Sequence, residues 1–320
     1  MIIFYTSQPH YNDHCLPVFK RLCELHPETF LVTRDPRYTD HPNVRAMLPL
    51  STPVKLFVVC SKADAEHIVQ YFPKTPRVWF EHGIGLSFTT PHPAYPGGRG
   101  VRSDSALILS PNTWAYERDA PNANAVIVGT PKMDLVPFVR DRPTKLRYPF
   151  VVWQTHWNCL NAPETRSAFK EFAPYARDLA KAFPGLSVHF HPKCSKYTRA
   201  TIKDTGLPVV NYKTAMRADM LIGDGGSMPY EFMAQNKPVL FLNSKHYRRA
   251  VNHGLRFWQD VPGLQCSTPK DLAVYAAQCW ATSKGWESER LRITEVVYPH
   301  RGTATLRAAN EILNLLERIS

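Results

Sequence analysis

The chain has 320 residues, 44% of them hydrophobic and 21% charged, which supplies material for packed cores and excludes a disordered chain. No run approaches 18 consecutive apolar residues, so no transmembrane helix is expected, and the apolar start Met1-Ile2-Ile3-Phe4-Tyr5 lacks the basic flank of a signal peptide. Thirty-nine Lys and Arg against 27 Asp and Glu give a net charge of +12, which points to an anionic partner, while 28 prolines argue against a helical bundle or coiled coil.

In chain order, residues 2–6 read as a buried strand. Leu16, Phe19, Leu22, Cys23 and Leu25 recur at helical spacing and predict a helix over 14–25. Strands follow at 29–33 and 55–60. Ser61 is placed to cap the next helix, which runs through Ala65, Ile68, Val69 and Phe72. Further strands are predicted at 77–80, 106–109 and 125–128, with the loop Glu81-His82-Gly83-Ile84-Gly85 after the first of these.

Residues 135–149 are rich in Pro, Arg and Lys and read as a linker, after which the pattern restarts. Strands are predicted at 150–153, 186–190, 207–210, 220–222 and 238–242. Helices are predicted over about 163–183 and 227–235, and at the end over 269–283 and 302–318. The fold class is therefore α/β: two Rossmann-like domains, 1–145 and 146–320, with the C-terminal helix positioned to pack back on the first. Ligands of such sheets bind at the carboxyl ends of the strands, and two of them facing one another enclose a cleft, a layout of GT-B-type transferases, of epimerases of the same fold and of periplasmic binding proteins, the last disfavoured by the expected lack of a signal peptide. The seven cysteines (15, 23, 60, 159, 194, 266 and 279) contain no Cys-x-x-Cys pair and read as reduced thiols in a cytoplasmic protein.

The most informative stretch is Asp219 to Phe232, with Lys237-Pro238 after it. A strand ends in Asp224-Gly225-Gly226, and Ser227 opens a helix. Small residues let the backbone approach a phosphate, and helix N–H groups would hold it. Glu231 lies four residues after Ser227, on nearly the same helix face, and suits a ribose or sugar hydroxyl. A plain strand–turn–helix with a serine cap is the other reading.

Asp224-x-x-Ser227-x-x-x-Glu231 followed by Lys237-Pro238 resembles the donor-site segment of the CDP-glycerol glycerophosphotransferase family, which transfers polyol phosphate in teichoic acid synthesis. Four further segments fall in the family's order: Glu81-His82-Gly83, Gly129-Thr130-Pro131-Lys132-Met133-Asp134, the strand Phe150 to Trp157, and Phe190-His191-Pro192-Lys193. The chain departs from the family at Gly225-Gly226, usually Tyr-Ser, and at Ile84-Gly85, usually Thr-Pro. The resemblance implies a GT-B transferase with an acceptor half over 1–145 and a nucleotide-donor half over 146–320.

It also implies roles. His82 corresponds to the base that deprotonates the acceptor hydroxyl, with Glu81 orienting its ring; an imidazole titrating near pH 6.5 suits that work, although a histidine there can also simply hold the loop. His191 corresponds to a donor-phosphate contact, with the cation of Lys193 beside it. Thr155, at the end of the strand opening the second domain, and Thr303, ahead of the last helix, join Asp224, Gly225, Gly226, Ser227 and Glu231 as donor-side candidates. Trp157 is placed to stack on a base or to pack. Asp13, in the stretch His10 to His14, is the alternative base; Asn12 and Asp13 also suit a helix cap.

No metal site is indicated. His189 and His191 share one side of a strand without nearby carboxylates, and no Asp-x-Asp, Walker A or His-Glu-x-x-His sequence occurs. The expectation is a metal-independent enzyme with no tightly bound cofactor. Its co-substrate would be a CDP- or UDP-linked donor, in the cytoplasm of a bacterium or a phage-infected cell.

The charge is uneven: residues 1–145 carry 16 basic and 13 acidic groups, net +3, and residues 146–320 carry 23 and 14, net +9. Clusters at Lys193, Lys196 and Arg199 and at Lys245, Arg248 and Arg249 interleave cations with aromatics, a pattern suited to a phosphate backbone. The acceptor is thus expected to be an anionic polymer, either a teichoic-type glycan or DNA carrying hydroxymethylated bases. A non-catalytic protein that binds nucleic acid or sugar is the lesser alternative.

Overall fold

The computed structural model describes residues 1–48, 53–84, 102, 104–119, 124–136, 149–157, 166–245, 261 and 263–320. The chain divides into two units, one of Met1–Val136 with Val296–Ser320 and one of Pro137–Glu295.

The first unit is built on β1 (Ile2–Tyr5), β2 (Thr29–Val32), β3 (Val44–Arg45), β4 (Leu56–Val59), β5 (Arg77–Phe80), β6 (Leu107–Ser110) and β7 (Ala125–Ile127). These strands are all parallel, in the order β3-β2-β1-β4-β5-β6-β7. Both faces are covered, which is why the strands are apolar throughout and not alternating. Ile2, Phe4 and Val58 face Val18, Phe19 and Leu22 of α1 (Pro9–Leu25). Ile3, Phe57 and Val59 point the opposite way, onto Ala65 and Ile68 of α2 (Lys62–Tyr71). Ser61 caps α2 as expected, its Oγ accepting from the Asp64 N–H at 3.1 Å. A third helix, α3 (Thr113–Asp119), follows β6.

The second unit carries β8 (Val151–Thr155), β9 (Ser187–Phe190), β10 (Met220–Gly223), β11 (Val239–Leu242) and β12 (Gln265–Cys266), again parallel, in the order β12-β11-β10-β8-β9. Its helices are α4 (Phe169–Phe172), α5 (Ala176–Ala182), α6 (Lys196–Asp204), α7 (Tyr212–Ala215), α8 (Met228–Met233), α9 (Leu272–Ala281) and α10 (Glu287–Val297). Trp153, Phe169, Phe172, Leu179, Val188, Ile222 and Leu240 form its core. Strand order reverses between β1 and β4 in the first sheet and between β8 and β10 in the second. Those are the two places where an α/β sheet leaves a crevice for ligands.

The last helix, α11 (Ala304–Ile319), belongs to the first unit: Ala308, Ala309, Ile312, Leu315 and Leu316 join the core formed with α1. Asp134 fixes its start, its carboxylate accepting from the backbone N–H groups of Gly302 (2.9 Å), Ala304 (3.2 Å) and Thr305 (2.8 Å). Those N–H groups have no partner inside the helix, so the carboxylate both satisfies them and complements the helix dipole.

Local departures have local causes. The first helix begins at Pro9 rather than residue 14, because proline is favoured in a first turn. Asn12 is therefore inside the helix and not its cap. The single helix expected over 163–183 is broken, with a 3-10 turn at Ala173–Tyr175 separating α4 from α5 at Pro174, which cannot donate a helical hydrogen bond. The strand expected at 207–210 is reduced to one parallel bridge, Val188 with Val209. Helix α10 went unread because its charged sequence hides a short buried stripe, Ile293 and Val297 at i and i+4.

Candidate functional site

In the first unit the predicted base stands just past β5, beside the crevice between β1 and β4. His82 Nδ1 lies 2.8 Å from the Cys60 carbonyl oxygen at the end of β4. A carbonyl only accepts, so Nδ1 carries the proton and Nε2 the lone pair. The ring is thus oriented by Cys60 rather than by Glu81. The Glu81 carboxylate pairs with Arg102, accepts from Trp79 Nε1 at 3.4 Å, and stands 3.9 Å from His82 Nδ1.

One face of α1 completes the group. The Tyr11 ring meets that of His82 edge-on at 4.6 Å, and the His14 ring lies 6.0 Å from it. Burial, reinforced by Lys132, His82 and His10, holds His14 well below its ordinary pKa of 6.5, so it stays neutral. Its Nδ1 accepts from the Gly83 N–H at 3.4 Å. Burial, with help from Asp64, Cys60 and Glu81, pushes the Tyr11 phenol up to about 12. Asp13 points elsewhere on the helix: it pairs with Arg37 Nη1 at 3.0 Å and accepts from the Tyr38 hydroxyl at 2.9 Å. Asn12 is buried and bonds to Thr6, Thr33 and Asp35.

The second unit gathers its predicted residues around the crevice between β8 and β10. His156, directly after β8, packs on the glycine pair: a Cβ at Gly226, where φ is +80°, would sit 3.1 Å from His156 Cδ2. A side chain where the family has Tyr-Ser would therefore have to displace this ring. The His191 ring meets His156 edge-on at 5.2 Å, Trp157 lies 6.4 Å from His191, and the Lys193 ammonium is 5.7 Å over the Trp157 ring. His191 Nδ1 accepts from the Lys193 N–H at 3.1 Å, so its proton is on Nε2 and that nitrogen is a donor.

Several expected donor contacts face inward. Asp224 is 3% exposed. Its carboxylate accepts from the backbone N–H groups of His156 (2.8 Å) and Ala168 (2.7 Å) and from the Ser167 hydroxyl, which ties the ends of β8 and β10 to the start of α4. Burial outweighs these bonds and raises it to about 6. Thr155 is buried, with Oγ1 3.5 Å from Cys194 Sγ. Glu231 is also buried and accepts from the Tyr212 hydroxyl. Ser227, half-buried, accepts the Glu231 N–H on its carbonyl at 3.0 Å as α8 begins. Lys237 is buried too, its ammonium donating to the Met216 carbonyl.

Thr303 belongs to the first unit, where its hydroxyl donates to the His300 carbonyl at 3.0 Å. Lys196 and Arg199 are exposed on α6, with the Arg199 guanidinium 4.9 Å over the Phe190 ring. Arg248 and Arg249 lie outside the described residues. His189 turns toward Val210 and Tyr212, its Nδ1 3.0 Å from the Val210 carbonyl, and burial lowers its pKa. Among the described residues no group of three His, Cys, Asp or Glu is placed to hold a metal, and no helix is long and apolar enough to cross a membrane.

His156 was legible with Thr155 and Trp157 from its place at the end of the strand that opens the donor half. Cys60, Tyr11 and Tyr212 were missed as parts of these groups, because they act through a backbone carbonyl or a ring brought in from far along the chain.

No family model matches the chain, and no curated protein matches it in sequence. Solved structures do match in fold. The wall teichoic acid polymerase TagF superposes with a TM-score of 0.67 at 11% identity, over 99% of this chain and 89% of that one. An S. aureus MnaA–UDP structure gives 0.64 at 14%, over 99% and 96%. The UDP-GlcNAc 2-epimerase of Neisseria meningitidis, bound to UDP-GlcNAc, gives 0.61 at 12%, over 98% and 99%. At these identities the likeness is one of architecture: the chain has two Rossmann-like domains of the GT-B type.

Proposed function

We propose that this protein is a GT-B-type transferase that moves a glycosyl or polyol-phosphate group from a nucleotide-activated donor to a hydroxyl of an anionic polymer. The observation that carries the reading is the opposite tautomers of two histidines at the carboxyl edges of the two sheets. His82 presents a lone pair at Nε2, as a base that takes a hydroxyl proton must. His191 presents an N–H at Nε2, as a group that receives charge on a leaving diphosphate must. Lys193 adds a positive charge beside it. TagF, named as a teichoic acid polymerase, and the UDP-bound neighbours support a nucleotide-linked donor.

In this reading the second unit holds a CDP- or UDP-linked donor and the first unit activates the acceptor. The leaving charge is offset by protein groups, so chelators leave turnover intact. The surplus of nine positive charges after residue 145 favours a second reading of the acceptor, hydroxymethylated DNA. Incubation with CDP-, UDP- and GDP-linked donors, following nucleotide release and the mass of added glycan or hydroxymethylated DNA, tests both. A mass gain on glycan supports the first acceptor and a gain on DNA the second. No nucleotide release from any donor would overturn the transferase reading.

A further inference from the structure

Helix α1 begins just past the carboxyl end of β1, so its first turns rim the crevice between β1 and β4 where His82 stands. Tyr11 and His14, three residues apart, share one face of that helix, and both rings approach the ring of His82. His14 uses Nδ1 to hold the loop: that nitrogen accepts from the N–H of Gly83, the residue after His82. A neutral imidazole carries a single proton, which is therefore on Nε2. Among the described residues none accepts from that N–H, and the side chain is half-buried. The two rings thus have opposite tautomers, with N–H at Nε2 of His14 and the lone pair at Nε2 of His82.

We infer that His14 binds the acceptor: its Nε2–H donates to the oxygen of the hydroxyl whose proton His82 takes. The inference rests on the transferase reading above. A hydroxyl donates and accepts at once, so holding it takes one group of each kind. Two hydrogen bonds meeting at one oxygen reach about 6 Å at most, comparable with the 6.0 Å between the two rings. One lone pair of the oxygen is held by His14 and the other makes the attack. As that pair forms the bond to the transferred group, the hydroxyl proton passes to His82 Nε2. The bond to the nucleotide breaks in the same step, and its electron pair leaves on the diphosphate. His14 keeps its proton throughout, and its N–H steadies the charge that gathers on the oxygen. Burial, with Lys132, His82 and His10 around it, keeps this ring neutral, so it does not oppose the imidazolium that forms on His82.

A pair of substitutions parts this role from that of merely holding the loop. His14→Asn places an amide oxygen where Nδ1 stands, which keeps an acceptor for Gly83 but leaves nothing at the position of Nε2. His14→Gln reaches the position of Nε2 with an N–H and gives up the acceptor at Nδ1. Each is assayed for transfer from the CDP- or UDP-linked donor to the glycan or hydroxymethylated DNA that wild type modifies, with nucleotide affinity taken from calorimetry. In His14→Asn, kcat/KM for the acceptor should fall about 10- to 100-fold, the loss of one hydrogen bond to the reacting oxygen. The loss in His14→Gln should be smaller by about threefold or more, and nucleotide affinity should be unchanged in both. Equal losses would overturn the inference, and so would a larger loss in His14→Gln, the mark of a loop support. Isotope-labelled histidine NMR of wild type gives a test that needs no variant to fold. His14 should carry its proton on Nε2 and its signal should move when acceptor is added; an Nδ1–H tautomer, or a signal that does not move, would overturn the inference. If wild type releases no nucleotide from any donor, the transferase reading fails and this inference with it. If wild type transfers and only the His14 results fail, the transferase reading stands.

Discussion

A methyl group at Gly129 would sit 2.4 Å from the Pro299 carbonyl oxygen and 2.9 Å from the Ala304 Cβ, on a residue whose φ is +90°. Gly129→Ala should therefore undock the start of α11 from the first unit. The left-handed backbone costs an L-residue about 1–2 kcal/mol. Forcing a methyl into a filled space adds about 1–3 kcal/mol, and the nearest atom is backbone, which cannot rotate aside. Together these give about 2–5 kcal/mol. The loss should concentrate on the segment that Pro299 and Ala304 belong to. Amide hydrogen exchange, read by mass spectrometry on peptides spanning 304–319, measures that local opening. Exchange there should quicken about 30-fold to several thousandfold at ~1.4 kcal/mol per decade. Asp134→Ala, which removes the acceptor of three N–H groups at the same helix start, should quicken it in the same peptides by about 1–2 kcal/mol. Protection of 304–319 within threefold of wild type in Gly129→Ala would refute the argument, since the close contact to Pro299 would then have been relieved at no cost.

Other consequences follow from the site. His82→Gln should lower turnover of the donor by about 10²–10⁴ while leaving nucleotide affinity unchanged. Asp13→Ala should leave turnover within about twofold and cost under about 1 kcal/mol of stability, since it removes one exposed pair with Arg37; the reverse ranking of these two variants would place the base on α1 instead. Asp224 carries a pH signature. Its pKa rises from 3.8 to about 6, so between those values the native protein holds a proton that the unfolded chain has released. The stability it contributes is therefore greatest below about pH 4, declines as pH rises through 6 and is level above, a span of at most about 3 kcal/mol. Denaturation of wild type and Asp224→Asn at pH 4 and pH 7 should show the wild type losing about 2–3 kcal/mol relative to the variant over that interval. An unchanged difference between the two pH values would contradict a raised carboxyl at this position.

The histidine at β5 and the histidine at β9 were legible because each follows directly on a short buried strand, and strand ends are where an α/β sheet presents side chains to ligand. The Ser61 cap, the parallel strands and the restart of the pattern near residue 150 were legible for the same kind of reason. Apolar runs, cap residues and proline act within a few positions of themselves. The break at Pro174 was equally local, and the long helix expected there overlooked it.

What each side chain does at those strand ends was decided by partners far along the chain. Cys60 sets the tautomer of His82 from 22 residues away, and the Tyr212 hydroxyl donates to Glu231 from 19. Asp224 is drawn inward by Ser167 and Ala168, more than fifty residues before it. Asp134 anchors a helix starting 170 positions later, which moves Thr303 into the first unit. Strand order belongs in the same group, because the crevice lies wherever the pairing reverses and pairing joins strands that are distant in sequence. The sequence by itself determined which elements form and that histidines stand at their ends. Only the tertiary structure decided which nitrogen carries each proton and which carboxylates face inward, because a hydrogen bond is set by the distance between two groups in space and not by their spacing along the chain.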